Sequence, residues 1–188
     1  MEAVATLLAI SAAIAFACFW SPAPLFNRPP SPHKPHVGFP AFYALYLSQH
    51  RQPLTKVAHA VGTTSFLFFC YGEPGLLLAV AAAVAAGSFL CPLFRHHAHG
   101  GVEGAGFLAA YLAAGRWATG GWRAVALAPL SAYFWAWVGH FFVEHNRPAT
   151  FIYPSYSLLG DFRMLAELAT LQLAWDGSAA ERAPPRRD

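Results

Sequence analysis

The segment Gly139 to Phe151, GHFFVEHNRPATF, gathers His140, Glu144, His145, Asn146 and Arg147 at the end of a long apolar run. On an α-helix His140 and Glu144 lie about 40° apart around the axis, so both can face one site. His145 lies about 140° round from His140 and points elsewhere unless the helix unwinds before Pro148. Proline disfavours α geometry at the residue before it, which makes unwinding at Arg147 reasonable. A second cluster, YLSQHRQPLTKVAH from Tyr46 to His59, has His50 ending one helix and His59 about one turn into the next. A turn at Gln52-Pro53 can fold the two together. Imidazole and carboxylate suit Fe(II), with open positions left for O2 and a substrate. Zinc accepts much the same ligands. His50, His59, His140 and Glu144 are therefore the candidates for one metal site. RHHAHG, from Arg95 to Gly100, reads as a solvated loop, and His33 and His36 sit in a proline-rich stretch away from the site.

The elements that must position these groups are membrane elements. The chain has 188 residues, of which 56% are hydrophobic and only 11% charged. Soluble domains carry about 25% charged residues, so there is too little charge here for a water-facing surface. The net charge is +3. The basic residues form no single face, which argues against nucleic acid. Cys18, Cys70 and Cys91 lie in or beside apolar runs, form no CxxC pair, and read as small buried side chains. Ala3 to Trp20 is 18 residues without a charge. It is near the length of a spanning helix, and Glu2 before it favours a retained anchor over a cleaved signal peptide. The expected layout is an N-terminal anchor (1–20), a proline-rich linker (21–40), a helical catalytic domain (41–175) and a disordered polar tail (176–188).

Within the domain, Ala41 to His50 predicts a short interfacial helix. Val57 to Phe94 has no Lys or Arg, and GEPG divides it into a hairpin of two helices. Gly104 to Gly115 predicts a shorter helix, Ala124 to Val143 a full span, and Leu158 to Trp175 an amphipathic helix. The fold class is thus all-α, an integral membrane bundle of about four to five spanning helices plus interfacial ones. An even number of crossings between His59 and His140 puts His50, His59, His140, Glu144 and His145 on one membrane face. Arg51, Lys56, Arg95 and Arg147 fall on that side, and the positive-inside bias then makes it cytosolic. Gly104 to Gly115 is the weak link, since twelve residues reach only about 18 Å.

YLSQHRQPLTKVAHAVGT resembles the Tyr-x3-His-x8-His-x2-Gly opening of the 2-hydroxy fatty acid dioxygenases, a family of small membrane proteins. GHFFVEHNRPA resembles that family's second block, Gly-His-x3-Glu followed by Arg-Pro-Ala. The longer match through YPSYSLLGDFRM resembles one branch of it, and the resemblance covers roughly Phe39 to Met164. It implies an Fe(II)-dependent α-oxidation. A long-chain 2-hydroxy fatty acid from phytosphingosine breakdown reacts with O2 to give the fatty acid one carbon shorter, in the endoplasmic reticulum membrane. By position, the resemblance implies His50, His59 and His140 as metal ligands and Glu144 as fourth ligand or base. Asn146 and Asp161 are expected around the ligands, and Glu144, Asp161 or a backbone carbonyl can accept from a ligand's second nitrogen. Tyr46, Arg147 and Arg163 are expected to bind substrate, the arginines through its carboxylate. A lysine is more usual where His145 stands, which argues against His145 as a ligand. The competing readings are a di-iron lipid hydroxylase, for which the histidines outside linker and loop are too few, and a non-enzymatic membrane scaffold or lipid-binding protein.

Overall fold

The computed structural model describes residues 29–176. The expected anchor, the start of the linker and nearly all of the tail lie outside them. Among the described residues there are six α-helices and no strand. We number them α1 (Phe39–Ser48), α2 (Pro53–Gly72), α3 (Gly75–Phe94), α4 (Gly101–Thr119), α5 (Arg123–Trp137) and α6 (Pro154–Ala169). A π-helical segment, Val138–Glu144, prolongs α5, and a 3-10 turn, Ala149–Phe151, precedes α6.

Proline punctuates these elements. Pro40, Pro53 and Pro154 open α1, α2 and α6, where a missing N–H costs nothing. α2 to α5 run in alternating directions. The start of α3 meets the end of α4, since a Cβ on Gly75 would touch Ala118. At the opposite end the connections gather. The Gln52 N–H before α2 donates to Glu144 at the end of α5 (2.6 Å), and the Gly100 N–H before α4 donates to the Phe151 carbonyl (2.9 Å). α3 packs chiefly on α4 and α2 on α5, while α6 crosses both pairs and touches α1. Gly62 is where α2 comes closest to α5. A Cβ there would sit 2.8 Å from the Ala132 carbonyl oxygen, so any other residue pushes the helices apart.

Two apolar clusters fill the interior. One is aromatic and joins α1 to α6 through Phe42, Tyr43, Tyr46, Tyr153, Tyr156 and Met164. The other joins α2 to α5 through Phe66, Leu76, Ala83, Tyr111, Val125 and Ala128. Cys70 and Cys91 are buried thiols, as their apolar surroundings suggest. The outer surface is also apolar: Phe68, Tyr71, Leu130, Phe134 and Phe142 are all more than half exposed. Two helices are long and apolar enough to cross a membrane, Gly75–Phe94 and Arg123–Glu144.

Element limits differ from the sequence expectation in three places. α1 begins at Phe39, where Pro40 supplies its first turn. α6 covers Pro154–Ala169 in place of Leu158 to Trp175, started by Pro154. The largest difference is α4, which has 19 residues and reaches well beyond Gly104 to Gly115. Its added first turn carries Glu103, which is 1% exposed and paired with the equally buried Lys34. Lys34 comes from the proline-rich stretch, whose described part is held against the bundle. The Ser31 N–H donates to the Arg95 carbonyl (2.9 Å) and the His36 N–H to the Tyr153 hydroxyl (2.8 Å).

A buried charge pair of this kind is marginal as a pair but costly when broken. Lys34→Met should destabilise the protein by about 3–5 kcal/mol, because it strands the Glu103 carboxylate. Lys34→Met with Glu103→Leu should recover most of that loss. Thermal unfolding in detergent micelles, followed by circular dichroism, checks both.

Candidate metal centre

Three histidines from three elements meet at the end of the bundle where the connections gather. His50 stands just past α1. Its Nδ1 lies 2.6 Å from the Tyr46 carbonyl oxygen, one of the carbonyls that a helix end leaves without a partner. His59 lies in the second turn of α2, and its Nδ1 is 2.7 Å from Asp161 Oδ1 on α6. His140 lies in the π-helical segment, with its Nδ1 2.6 Å from Asn146 Oδ1. The Asn146 amide is oriented by its other end, since Nδ2 donates to the Gln49 carbonyl at 3.0 Å. Each histidine therefore has an oxygen acceptor at Nδ1, which selects the tautomer with hydrogen on Nδ1 and a lone pair on Nε2.

Those lone pairs point at one another. His50 Nε2 and His59 Nε2 are 3.1 Å apart. One ligand atom from each of His50, His59 and His140 lies within 4.8 Å of the others. The rings meet edge to face, with centroids 4.3, 4.8 and 5.0 Å apart. Two imidazoles on one first-row ion, each at about 2.0–2.1 Å, are separated by about 3–4 Å, the spacing that His50 and His59 have at 3.1 Å. All three side chains are buried, at 1%, 4% and 3% exposure. Burial, with His59 and His140 beside it, holds the His50 imidazole well below its usual titration range, so it is a neutral donor. No other such group of His, Cys, Asp or Glu occurs among the described residues.

Tyr46 and Asp161 brace the cluster. The Tyr46 hydroxyl donates to the same Asp161 Oδ1 that holds His59, and its ring stacks on His50 with centroids 4.1 Å apart. Burial, and next to it the Asp161 carboxylate, push the Tyr46 phenol far above its usual range, which keeps it a donor. The arrangement needs Gly160: a Cβ there would fall 2.8 Å from the Tyr46 ring. Spacing alone had singled out neither Gly160 nor the α1 carbonyl behind His50. The Tyr46–His50 separation of one helical turn was the available signal for the latter.

Glu144 accepts from the Gln52 N–H and so holds the turn between His50 and His59. His145 closes the π-helical segment in the left-handed region (φ 53°) and is exposed. Arg147 is exposed. Arg163 is bound to Glu167 (Nε to Oε1, 2.7 Å) and lies over the Tyr43 ring at 4.0 Å. His96, His97 and His99 cluster in the turn after α3, outside the histidine centre.

From the three histidines a cavity of about 430 Å³ runs into the bundle. That volume falls within the range of about 300–1,000 Å³ usual for small-molecule sites. Tyr46, Asp161 and the histidines form its polar end, while Phe66, Val80, Phe107, Leu108 and Pro129 line it further in. Glu144, Arg147 and Arg163 are not in its lining.

Fold and site together define a class: an all-helical protein with two membrane-length apolar helices and a buried three-histidine centre fit for a metal ion, at the polar end of an apolar cavity. The chain belongs to the family described as 2-hydroxy-palmitic acid dioxygenase Mpo1-like, whose model matches residues 37–173. No curated protein and no solved structure matches it.

Partners that orient ligating histidines typically contribute 10–100-fold to metal affinity. Asp161→Ala and Asn146→Ala should each weaken Fe(II) or Co(II) binding by about that factor. Arg163→Ala, which touches neither ligand nor cavity, should leave it unchanged. Titration of metal-stripped protein, followed calorimetrically, measures all three.

Proposed function

We propose that this protein is an Fe(II)-dependent dioxygenase that converts a long-chain 2-hydroxy fatty acid, by α-oxidation, into the fatty acid one carbon shorter. One observation carries the reading. Three buried histidines, each with Nδ1 held by an oxygen acceptor, turn their Nε2 atoms to a common point at the polar end of an apolar cavity. Membership of a family described as 2-hydroxy-palmitic acid dioxygenases supports the substrate class.

The chemistry balances without another reactant. A 2-hydroxy acid R–CH(OH)–COOH and O2 yield R–COOH, CO2 and water, with all four electrons coming from the substrate. No external reductant is required. His50, His59 and His140 hold the metal. Fe(II) bound there supplies the reactivity toward O2 and open positions for the adjacent carboxylate and hydroxyl of the substrate. Asp161 and Tyr46 keep His59 and His50 in register. Glu144 fixes the turn that presents both, and Asn146 fixes His140. The apolar lining receives the acyl chain and excludes water from the reacting end.

In this reading α2 to α5 all cross the bilayer. The histidines then lie at one membrane face, with Arg51, Lys56, Arg95 and Arg147 beside them. The positive-inside bias favours the cytosol for that face, and the endoplasmic reticulum membrane is the location that the family resemblance implies.

Protein purified without a polyhistidine tag should contain about one iron per chain and convert 2-hydroxypalmitate to pentadecanoate in air. His50→Ala, His59→Ala and His140→Ala should each lose iron and turnover. His145→Ala and His97→Ala, outside the centre, should keep most of both. Elemental analysis and lipid mass spectrometry read the two quantities. Full iron occupancy in all three of the first variants would sink the proposal.

A further inference from the structure

We propose that Ser157 positions the carboxylate of the fatty acid in the cavity, in place of an arginine; this rests on the lipid reading above. Among the described residues no lysine or arginine lines the cavity. Lys34 is paired with Glu103, Lys56 reaches the Ala174 carbonyl, Arg163 binds Glu167, and Arg147 is exposed and outside the lining. Besides a metal on the histidines, a carboxylate entering the cavity is therefore met by neutral donors.

Two lining hydroxyls are buried without a hydrogen-bond partner, Ser157 Oγ and Tyr111 OH. Each residue is 5% exposed. A buried unpaired hydroxyl is costly and rare, and in a cavity wall it marks a place where a bound molecule completes the bond. The two differ in position. Tyr111 belongs to the apolar cluster with Phe66, Leu76 and Val125, at the tail end. Ser157 belongs to the metal end. It is one helical turn before Asp161 on α6, on the same helix face, about 6 Å along the axis. Asp161 itself binds His59. The residue three before Ser157, Pro154, and the 3-10 turn Ala149–Phe151 complete the wall at this end.

A serine O–H donated to a carboxylate is a charge-assisted bond, stronger than the same bond to a neutral group. It needs no desolvated guanidinium in an apolar bundle. The hydroxyl orients the acid end of the lipid toward the histidines and leaves the rest of the chain to the apolar wall. Ser157 is a positioning residue in this proposal, and it takes no part in the oxidation.

The test uses the full chain in detergent micelles with metal removed by a chelator, so that it is independent of iron and of turnover. Palmitate and hexadecanol are titrated calorimetrically at mildly alkaline pH, where the fatty acid is ionised. Ser157→Ala should weaken palmitate binding about ten- to a hundred-fold, with a markedly smaller loss for hexadecanol. Ser157→Thr, which keeps the hydroxyl, should stay near wild type. Tyr111→Phe should not discriminate between the two lipids. Unchanged palmitate affinity in Ser157→Ala, an equal loss for both lipids, or an acid-selective loss in Tyr111→Phe would each overturn the proposal. Failure of the iron reading alone leaves this measurement intact, whereas a wild type that binds neither lipid overturns the cavity's lipid reading and this proposal together.

Discussion

Three imidazoles cannot keep ring nitrogens facing one another unless something holds the rings from behind. Each ring here is held by one hydrogen bond at Nδ1, from a helix-end carbonyl, a carboxylate and an amide oxygen respectively. The acceptors come from three parts of the chain, so the cluster ties α1, α2, α6 and the end of α5 into one unit. An Nε2 pair at 3.1 Å is repulsive when both nitrogens lack hydrogen, and a cation between them turns that repulsion into ligation. The same bonds that hold the rings in place aim their free ring nitrogens at one region, which is the arrangement a metal ion needs. Much of the polar structure at this end follows from that constraint. Gln49 orients Asn146, Glu144 anchors the Gln52 amide, and Tyr46 shares Asp161 with His59.

These polar groups are few, and they are spent in the way an apolar bundle requires. Unpaired charge inside such a bundle costs several kcal/mol, so Lys34 and Glu103 are paired, and the Lys56 amine reaches the Ala174 carbonyl. Both contacts fasten segments outside the four-helix arrangement to it, Lys34 from before α1 and Ala174 from after α6. The aromatic cluster between α1 and α6 does the same by packing. Gly160 permits it at the decisive point, where Tyr46 passes close enough to brace both His50 and Asp161.

Much of this was legible in the sequence. Apolar runs broken by Pro and Gly mark the helices, and the even number of antiparallel helices from His59 to His140 puts the two histidine clusters at one end. His50, His59 and His140 stood out because ionisable groups are scarce in such a chain. Asn146 and Asp161 were expected near the ligands, and they stand behind His140 and His59. What was not legible depends on departures from ideal helix geometry. The π-helical segment itself and the bond from the Gln52 N–H that holds Glu144 at the turn before α2 are not announced by any residue in Val138–Glu144. Arg163 looked available for a substrate carboxylate in sequence, but α6 turns it toward Glu167 and Tyr43. An extension of α4 through Arg116 to Thr119 is within reach of the sequence, but its first turn is not, because Glu103 is buried only by pairing with Lys34, 69 residues away.

The placement of the centre explains the shape of the remaining space. A metal site on three histidines needs a polar, anchored surrounding, and four antiparallel helices offer that only at their ends, where turns bring carbonyls and amides together. The middle of the bundle has no such groups to offer, and there the wall is Phe66, Val80, Phe107 and Pro129. A ligand that fits both regions must itself be divided, polar at one end and apolar along the rest. Its polar end must also be small, because the histidines, Tyr46 and Asp161 leave little room beside them. An acid with a hydroxyl on the adjacent carbon meets that description: two oxygens close together for the centre, and a hydrocarbon chain that loses water contact along the cavity. The apolar wall then contributes affinity roughly in proportion to the chain surface it covers, while the centre decides which end reacts.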